Sequence, residues 1–326
     1  MSVETSRTCL VVMYHYVRDS AATAFPNIRA LTPSYFERQL DWLQSHYTPI
    51  GLDTFAAAVE GRADLPRNAA LLTFDDGFVD HHETVFPMLR ARGLTGTFFL
   101  SQDACQALDV LNVHKTHFLL AHLGAGAFGR EVMAEGAVRH APSNSTEVFG
   151  AERWEIPDER AIKHLLNYDL PLDIATDVLD RLFRRHIGAP DAFARDLYLD
   201  ADQVRTMAGG GMTFGYHTRS HQMLSRLDVA QQREELEAGV SWVRELTGQR
   251  DVPFCYPWGG PGTYTGDTLD LLGRLGYSLA FCTVRRRANA ATDGRFEVPR
   301  FDTRDLPPYT DGEADAVAAS LRDEEA

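Results

Sequence analysis

Seven short apolar runs constrain what this chain can fold into more than any other feature: residues 9–14, 69–74, 95–100, 211–216, 252–256, 278–283 and 296–301. Most are continuous rather than alternating, as expected of parallel strands covered on both faces. Helical patterns separate most of them. Phe36, Leu40 and Leu43 share one face, with Thr32 as N-cap and Pro33 in the first helical position. Val85, Phe86 and Leu89 mark a second helix closed by Gly93. Leu236, Val240, Val243 and Leu246 mark a third, opened by Asp228 and closed by Gly248. Residues 268–275 form a fourth, closed by Gly276. Repeated strand-then-helix order implies a parallel sheet. Polar residues at the C-terminal ends of the strands favour closure into an α/β barrel, whose active site sits at that end. His15, Asp75, Asp76, His217, Tyr256, Thr283 and Asp302 all fall there.

Residues 101–199 break the rhythm. They read as helices and loops, with helical patterns over 114–123, 159–166 and 174–185. An insert after a barrel strand is expected to form a helical cap over the C-terminal mouth. The chain thus reads as one barrel domain over 1–326, with the insertion at 101–199 and an acidic tail at 309–326.

Composition narrows the function. Hydrophobic residues make up 44%, enough for a sizeable core. Lys and Arg number 32 against 46 Asp and Glu, a formal net charge of −14. That argues against a nucleic-acid surface and against adhesion to anionic lipid, both of which need clustered cations, though a local basic patch would escape this reasoning. No run of roughly 18 apolar residues is present to span a membrane. The run at 9–13 is too short for a signal-peptide core, so the cytoplasm is the expected location. Cys9, Cys105, Cys255 and Cys282 form no CxxC pair, which suits a reducing compartment. Cys9, Cys255 and Cys282 read as buried free thiols.

Two segments carry the chemistry: Thr73-Phe74-Asp75-Asp76-Gly77 and His217-Thr218-Arg219-Ser220-His221. Adjacent residues at a strand end point in different directions, so one carboxylate can bind a metal while its neighbour stays free. The plain alternative is a turn, since Asp-Gly after a strand is ordinary loop chemistry. His217 and His221 are spaced i, i+4, which on a helix or tight turn brings two ring nitrogens to one side. Two imidazoles and a carboxylate suit Zn²⁺, with Co, Ni or Mn as alternatives.

In this strand context the pair of segments resembles the polysaccharide deacetylase family, carbohydrate esterase family 4 or NodB-homology domain. Met13-Tyr14-His15, the run from Gly93 to Leu100, the segment His221 to Leu227, Tyr256-Pro257-Trp258-Gly259, and Glu297 to Phe301 extend the resemblance to its MYH/YPxG-type branch. The match covers residues 1–100 and 200–302 and omits the insert. The resemblance implies a distorted (β/α)7 barrel and removal of an acetyl group from an N-acetylated amino sugar. It also implies one divalent metal on Asp76, His217 and His221, with Asp75 as general base. The oxyanion is expected on the metal and the Tyr256 backbone N–H, with Trp258 beside it at the substrate.

The chain departs from the family in two places. No histidine lies on the last strand, where Arg300-Phe301-Asp302 stands; the resemblance to the MYH branch, in which a first-strand histidine fills that role, makes His15 the candidate acid. The arginine before the third motif is also missing, and Arg300 is the candidate to reach Asp75 and hold it ionised. His114, Lys115, His117 and His122 read as a polar helix face, and His81 and His82 as surface residues. Trp154 and Tyr264 are further aromatic candidates for a sugar site. The expected substrate is an N-acetylated sugar or an intracellular glycan intermediate. One alternative is a metal-dependent amidase or imidase acting on a small non-sugar amide. Another is a non-catalytic glycan-binding relative, which would require loss of Asp75 or a ligand; none is lost.

Overall fold

The structure, a computed structural model, describes residues 5–106, 109–140 and 157–309. The acidic tail from 310 onward and Trp154 lie outside the described residues. The chain divides into two compact units: residues 1–18, 30–106 and 198–326, and residues 19–29 with 107–197.

The first unit is built on parallel strands. Thr8–Tyr14 pairs with Ala69–Phe74, which pairs in turn with Thr97–Leu100. The order continues through Thr213–Tyr216 and Phe254–Cys255 to Ala280–Phe281. The run at 296–301 closes the ring in two steps. Val298 bridges Phe281, and Phe301–Asp302 pairs with the first strand at Val12 and Met13. An additional strand, Thr48–Ile50, pairs with residues 69–71. Its three residues include Pro49, so it gives no pattern that sequence reading can detect.

Strand alternation sorts the core into two clusters. Cys9, Val11, Ala69, Leu71, Phe99, Cys255, Phe281 and Val298 form the inner one. Leu10, Val12, Ala70, Leu72, Phe98, Phe214 and Phe254 join the outer one, with Phe36 and Leu40 of the helix Pro33–His46. Thr73 and Asp75 continue the phase of Ala69 and Leu71. The inner layer therefore becomes polar at the strand end.

Most helix ends follow the expected chemistry. The Thr32 side chain accepts from the Tyr35 N–H, and Gly248 and Gly276 adopt left-handed C-caps. One expectation is corrected. The single helix from Asp228 to Gly248 is two helices, Val229–Leu236 and Gly239–Thr247. The Tyr277 hydroxyl donates to the Leu236 carbonyl at 2.7 Å and so takes the acceptor that a continuous helix would use. Glycine is required beside it, because a Cβ at Gly239 would lie 2.1 Å from the Tyr277 Oη.

The second unit is built of helices and loops, with no strand among its described residues. Its helices are Asn112–Leu123, Ala125–Ala134, Gly136–His140, Pro157–His164, Leu172–His186 and Pro190–Leu197. Its boundaries differ from the expected 101–199 insert. Residues 19–29 belong to it: Phe25 packs edge-on against Phe118 and Phe193, and Asn27 donates to the Ala121 carbonyl. His114 and Lys115 are buried, not part of an exposed polar face. The Lys115 ammonium meets Asp109 at 2.6 Å and also pairs with Asp180. No described helix is long and apolar enough to cross a membrane.

Candidate active site

The site lies in the first unit, at the C-terminal ends of its strands. The strand Ala69–Phe74 delivers Asp75 and Asp76, and the Asp75 N–H donates to the Tyr14 carbonyl at 2.9 Å. Asp76 (φ 74°) and Gly77 (φ 63°) are both left-handed, which separates the two carboxylates sharply. Gly77 is also a packing requirement, because a Cβ there would lie 2.9 Å from Leu100 and 3.2 Å from the Cys105 sulfur.

Asp75 points into the barrel. Arg300 grips it with both arms of its guanidinium: Nη1 donates to Oδ1 and Nη2 to Oδ2, each at 2.8 Å. Both side chains are buried, at 0% exposed for Arg300 and 3% for Asp75. Thr73 Oγ1 accepts from Arg300 Nη1 at 3.1 Å, and the Cys282 carbonyl accepts from Nε. Burial alone would push the Asp75 carboxyl up. Arg300, with His217 and His15 behind it, outweighs burial and holds it below the usual carboxylate range.

Asp76 faces the histidines. Nε2 of His217 and Nε2 of His221 each lie 3.4 Å from Asp76 Oδ1. The i, i+4 spacing works through a tight loop, not a helix. Thr218 (φ 63°) and His221 (φ 60°) are left-handed, and the Thr218 hydroxyl accepts from the His221 N–H. The two ring centroids come within 4.8 Å. His217 Nδ1 donates to the Cys255 carbonyl at 2.8 Å, so that in the neutral ring Nε2 is the lone-pair donor. Burial pushes the His217 imidazole down, but the surrounding Cys255, Asp76 and Asp75 carry it well above the ordinary range.

Two sets of side chains offer ligand atoms within 4.8 Å of one another among the described residues: Asp76, His217, His221, and Asp75, His217, Cys255. The second set is a poor cation site, because Arg300 already occupies both Asp75 oxygens and its Nη2 lies 3.0 Å from Cys255 Sγ. The first set fits one divalent metal: two imidazoles and a carboxylate with no cation between them.

The other expected residues divide. His15 reaches the same region, its Nε2 3.9 Å from Asp75 Oδ2 and its side chain 41% exposed. Trp258 sits near His221, ring centroids 6.2 Å apart, on a left-handed backbone (φ 69°). Tyr256 does not offer the oxyanion donor expected of it. Its N–H donates to the Phe281 carbonyl, its hydroxyl to the Phe296 carbonyl, and its ring stacks on Tyr264. Sequence reading also missed two residues. Cys255 is not a detached thiol: its Sγ lies 3.5 Å from Asp75 Oδ2. His81 is fully buried among Phe74, Phe78 and Phe98 instead of lying on the surface.

Fold and site together define a parallel (β/α) barrel with a carboxylate–imidazole centre at its strand ends. Residues 160–280, little more than a third of the chain, match the family model described as polysaccharide deacetylase. The matched segment contains His217, His221 and Tyr256, while Asp75 and Asp76 lie outside it. The chain is 34% identical over 84 residues to a poly-beta-1,6-N-acetyl-D-glucosamine N-deacetylase of Escherichia coli K12. That alignment takes in 25% of this chain and only 12% of the relative. Among solved structures, the fold resembles the Streptococcus pyogenes deacetylase PplD, with a TM-score of 0.59 and 16% identity, covering 95% of this chain and 97% of that one. It also resembles IcaB from Ammonifex degensii, with a TM-score of 0.56 and 19% identity, covering 96% and 98%. At these identities the likeness concerns the fold.

Proposed function

We propose that the chain is a metal-dependent N-deacetylase of N-acetylated amino sugars, with Asp75 as base and Asp76, His217 and His221 as the ligands of one divalent ion. The observation behind this reading is the division of labour between adjacent carboxylates. Asp75 lies in the fork of Arg300, while Asp76 faces two imidazole Nε2 atoms. The donor set suits Zn²⁺ first, then Co, Ni or Mn. Once bound, such an ion supplies a water of lowered pKa and a Lewis acid for the amide carbonyl.

The remaining work falls to side chains. Asp75 accepts a proton from the attacking water, and Arg300 keeps it ionised and aligned for that task. The amide C–N bond then breaks, the acyl carbon leaves as acetate, and the amine nitrogen needs a proton. His15 delivers it: its imidazole is partly open to solvent and faces the same Asp75 oxygen. Trp258 supplies an aromatic face beside His221 for the sugar ring.

The relatives support the substrate class. The aligned Escherichia coli protein is named for poly-beta-1,6-N-acetyl-D-glucosamine, and the Streptococcus pyogenes deacetylase is described in complex with acetate. The test is acetate release from β-1,6-linked N-acetylglucosamine oligomers, alongside elemental analysis. The expected result is one metal per chain, loss of acetate release on chelation, and recovery with Zn²⁺. Metal-replete protein that releases no acetate from any N-acetylglucosamine oligomer would reject the reading.

A further inference from the structure

We propose that Asp80 and His81 form a brace that positions His15 for proton delivery to the leaving amine. This rests on the reading of His15 as the acid. His15 lies just beyond the strand Thr8–Tyr14, and on its C-terminal side the backbone has only the single bridge of Val17 to Leu31. The brace supplies what the sheet does not. His81 Nε2 lies 3.0 Å from the His15 carbonyl oxygen. Asp80 Oδ2 accepts from the Val17 N–H at 3.1 Å and from Arg18 Nε at 2.7 Å, and Oδ1 meets Arg18 Nη2 at 2.7 Å. Two adjacent side chains thus hold the backbone on both sides of Tyr16.

The chemistry of His81 fits this task and no other in the site. A carbonyl oxygen can only accept, so Nε2 carries the proton, and among the described residues Nδ1 faces no hydrogen-bond partner. The ring is 0% exposed and packed among phenylalanines, which lock its orientation. Burial pushes its pKa down to about 4, so it is a neutral donor at physiological pH. It also begins a π-helical turn, His81–Val85, ahead of the helix Phe86–Ala91. Such wide turns are frequent at functional sites. His81 is a positioning residue: it touches His15, not substrate.

The test is a double-mutant cycle on metal-loaded protein. His81→Phe keeps ring bulk and removes the donor. Its kcat on an N-acetylglucosamine oligomer should fall about ten- to a hundredfold, as misplacement of a catalytic group does. Metal content and KM should stay as in wild type. Turnover of an activated aryl acetate, whose leaving group needs no proton, should also be unchanged. His81→Gln, which retains an N–H donor, should recover most of the loss. In a His15→Ala background, His81→Phe should add nothing, because the group it positions is gone. A full additional loss in that background, or an equal loss on the aryl acetate, would overturn the brace and make His81 merely structural. If His15→Ala alone leaves deacetylation unchanged, the acid assignment falls and the brace falls with it. If His15→Ala is slow and His81→Phe is not, only the brace is lost. Should His81→Phe fail to fold, the wild type decides by NMR: the His81 proton must reside on Nε2 at neutral pH, with coupling across the hydrogen bond to the His15 carbonyl. A proton on Nδ1 overturns the proposal.

Discussion

Both units bury a cation completely, Arg300 in the barrel and Lys115 in the helical unit, but they are matched differently. Arg300 faces Asp75, which is itself 3% exposed and sits between His15 and His217. Lys115 faces Asp109 and Asp180, which are 42% and 34% exposed. Water can reach the acids around Lys115, so that ion pair can loosen at modest cost. Water does not reach Asp75 freely, so its charge depends on one guanidinium. A buried carboxylate held ionised beside a candidate metal site is equipment for chemistry. A buried lysine between solvent-facing acids is equipment for holding helices together.

The largest expected effect separates the two carboxylates of the barrel from the acids of the helical unit. Asp75→Asn keeps the shape of the base and removes its proton acceptor. It should retain metal and lose on the order of 10²-fold or more in kcat. Asp76→Ala should lose metal and activity together. Asp180→Asn in the helical unit should do neither. Elemental analysis and acetate release on the three variants check this. Stoichiometric metal in Asp76→Ala would sink the ligand assignment, and full activity in Asp75→Asn would remove the base.

The contrast between these residues was only partly legible in the sequence. The continuous run at 69–74 ending in two aspartates announced a buried strand with ligands at its tip, because both signals are local. Arg300 was reachable by elimination, since the expected arginine before Tyr256 is absent. Cys255 was not, because its contact with Asp75 depends on which face of a two-residue strand it occupies. His81 stands four residues before Val85 and eight before Leu89, so the helical period already places it on their buried face, and the surface reading overlooked that spacing. The Tyr256 N–H looked available until the neighbouring strand claimed it. The break before Gly239 required knowing that Tyr277 arrives from 41 residues away. The misses at Cys255, Tyr256 and Gly239 are tertiary contacts overriding a local pattern.

The second effect is on stability. Arg300→Met leaves Asp75 buried without its counter-charge, and should cost roughly 3–5 kcal/mol at neutral pH. The pH dependence sharpens this. In the wild type the native Asp75 pKa is held below the ordinary carboxylate value. The stabilisation from the pair is therefore complete above about pH 4 and is lost only as pH falls through the lowered native value. In Arg300→Met, burial acts without the cation and raises Asp75 instead. The native variant then binds a proton that its unfolded chain has released, so it gains stability as pH falls towards about 4. The gap between the two proteins should narrow on acidification. Urea unfolding of metal-free protein at several pH values measures it, and a gap that widens would mean that Arg300 is not what keeps Asp75 ionised.

The smallest effect belongs to the other buried cation. Lys115→Met keeps the aliphatic stem that packs in the helix Asn112–Leu123 and removes the charge. Asp109 and Asp180 lose their cation, but Asp109 keeps the Val110 N–H and both are exposed enough to hydrate, so neither becomes an isolated buried ion. Loss of a lysine between such acids should cost about 1 kcal/mol or less, against the several expected at Arg300. Metal content and kcat on an N-acetylglucosamine oligomer should stay at wild-type values. A fall in kcat comparable to that of Asp75→Asn, with the variant still folded, would break the comparison. The cation of the helical unit would then belong to the chemistry as well, and its acids would have to be read as part of the active site rather than as the polar ends of a packing contact.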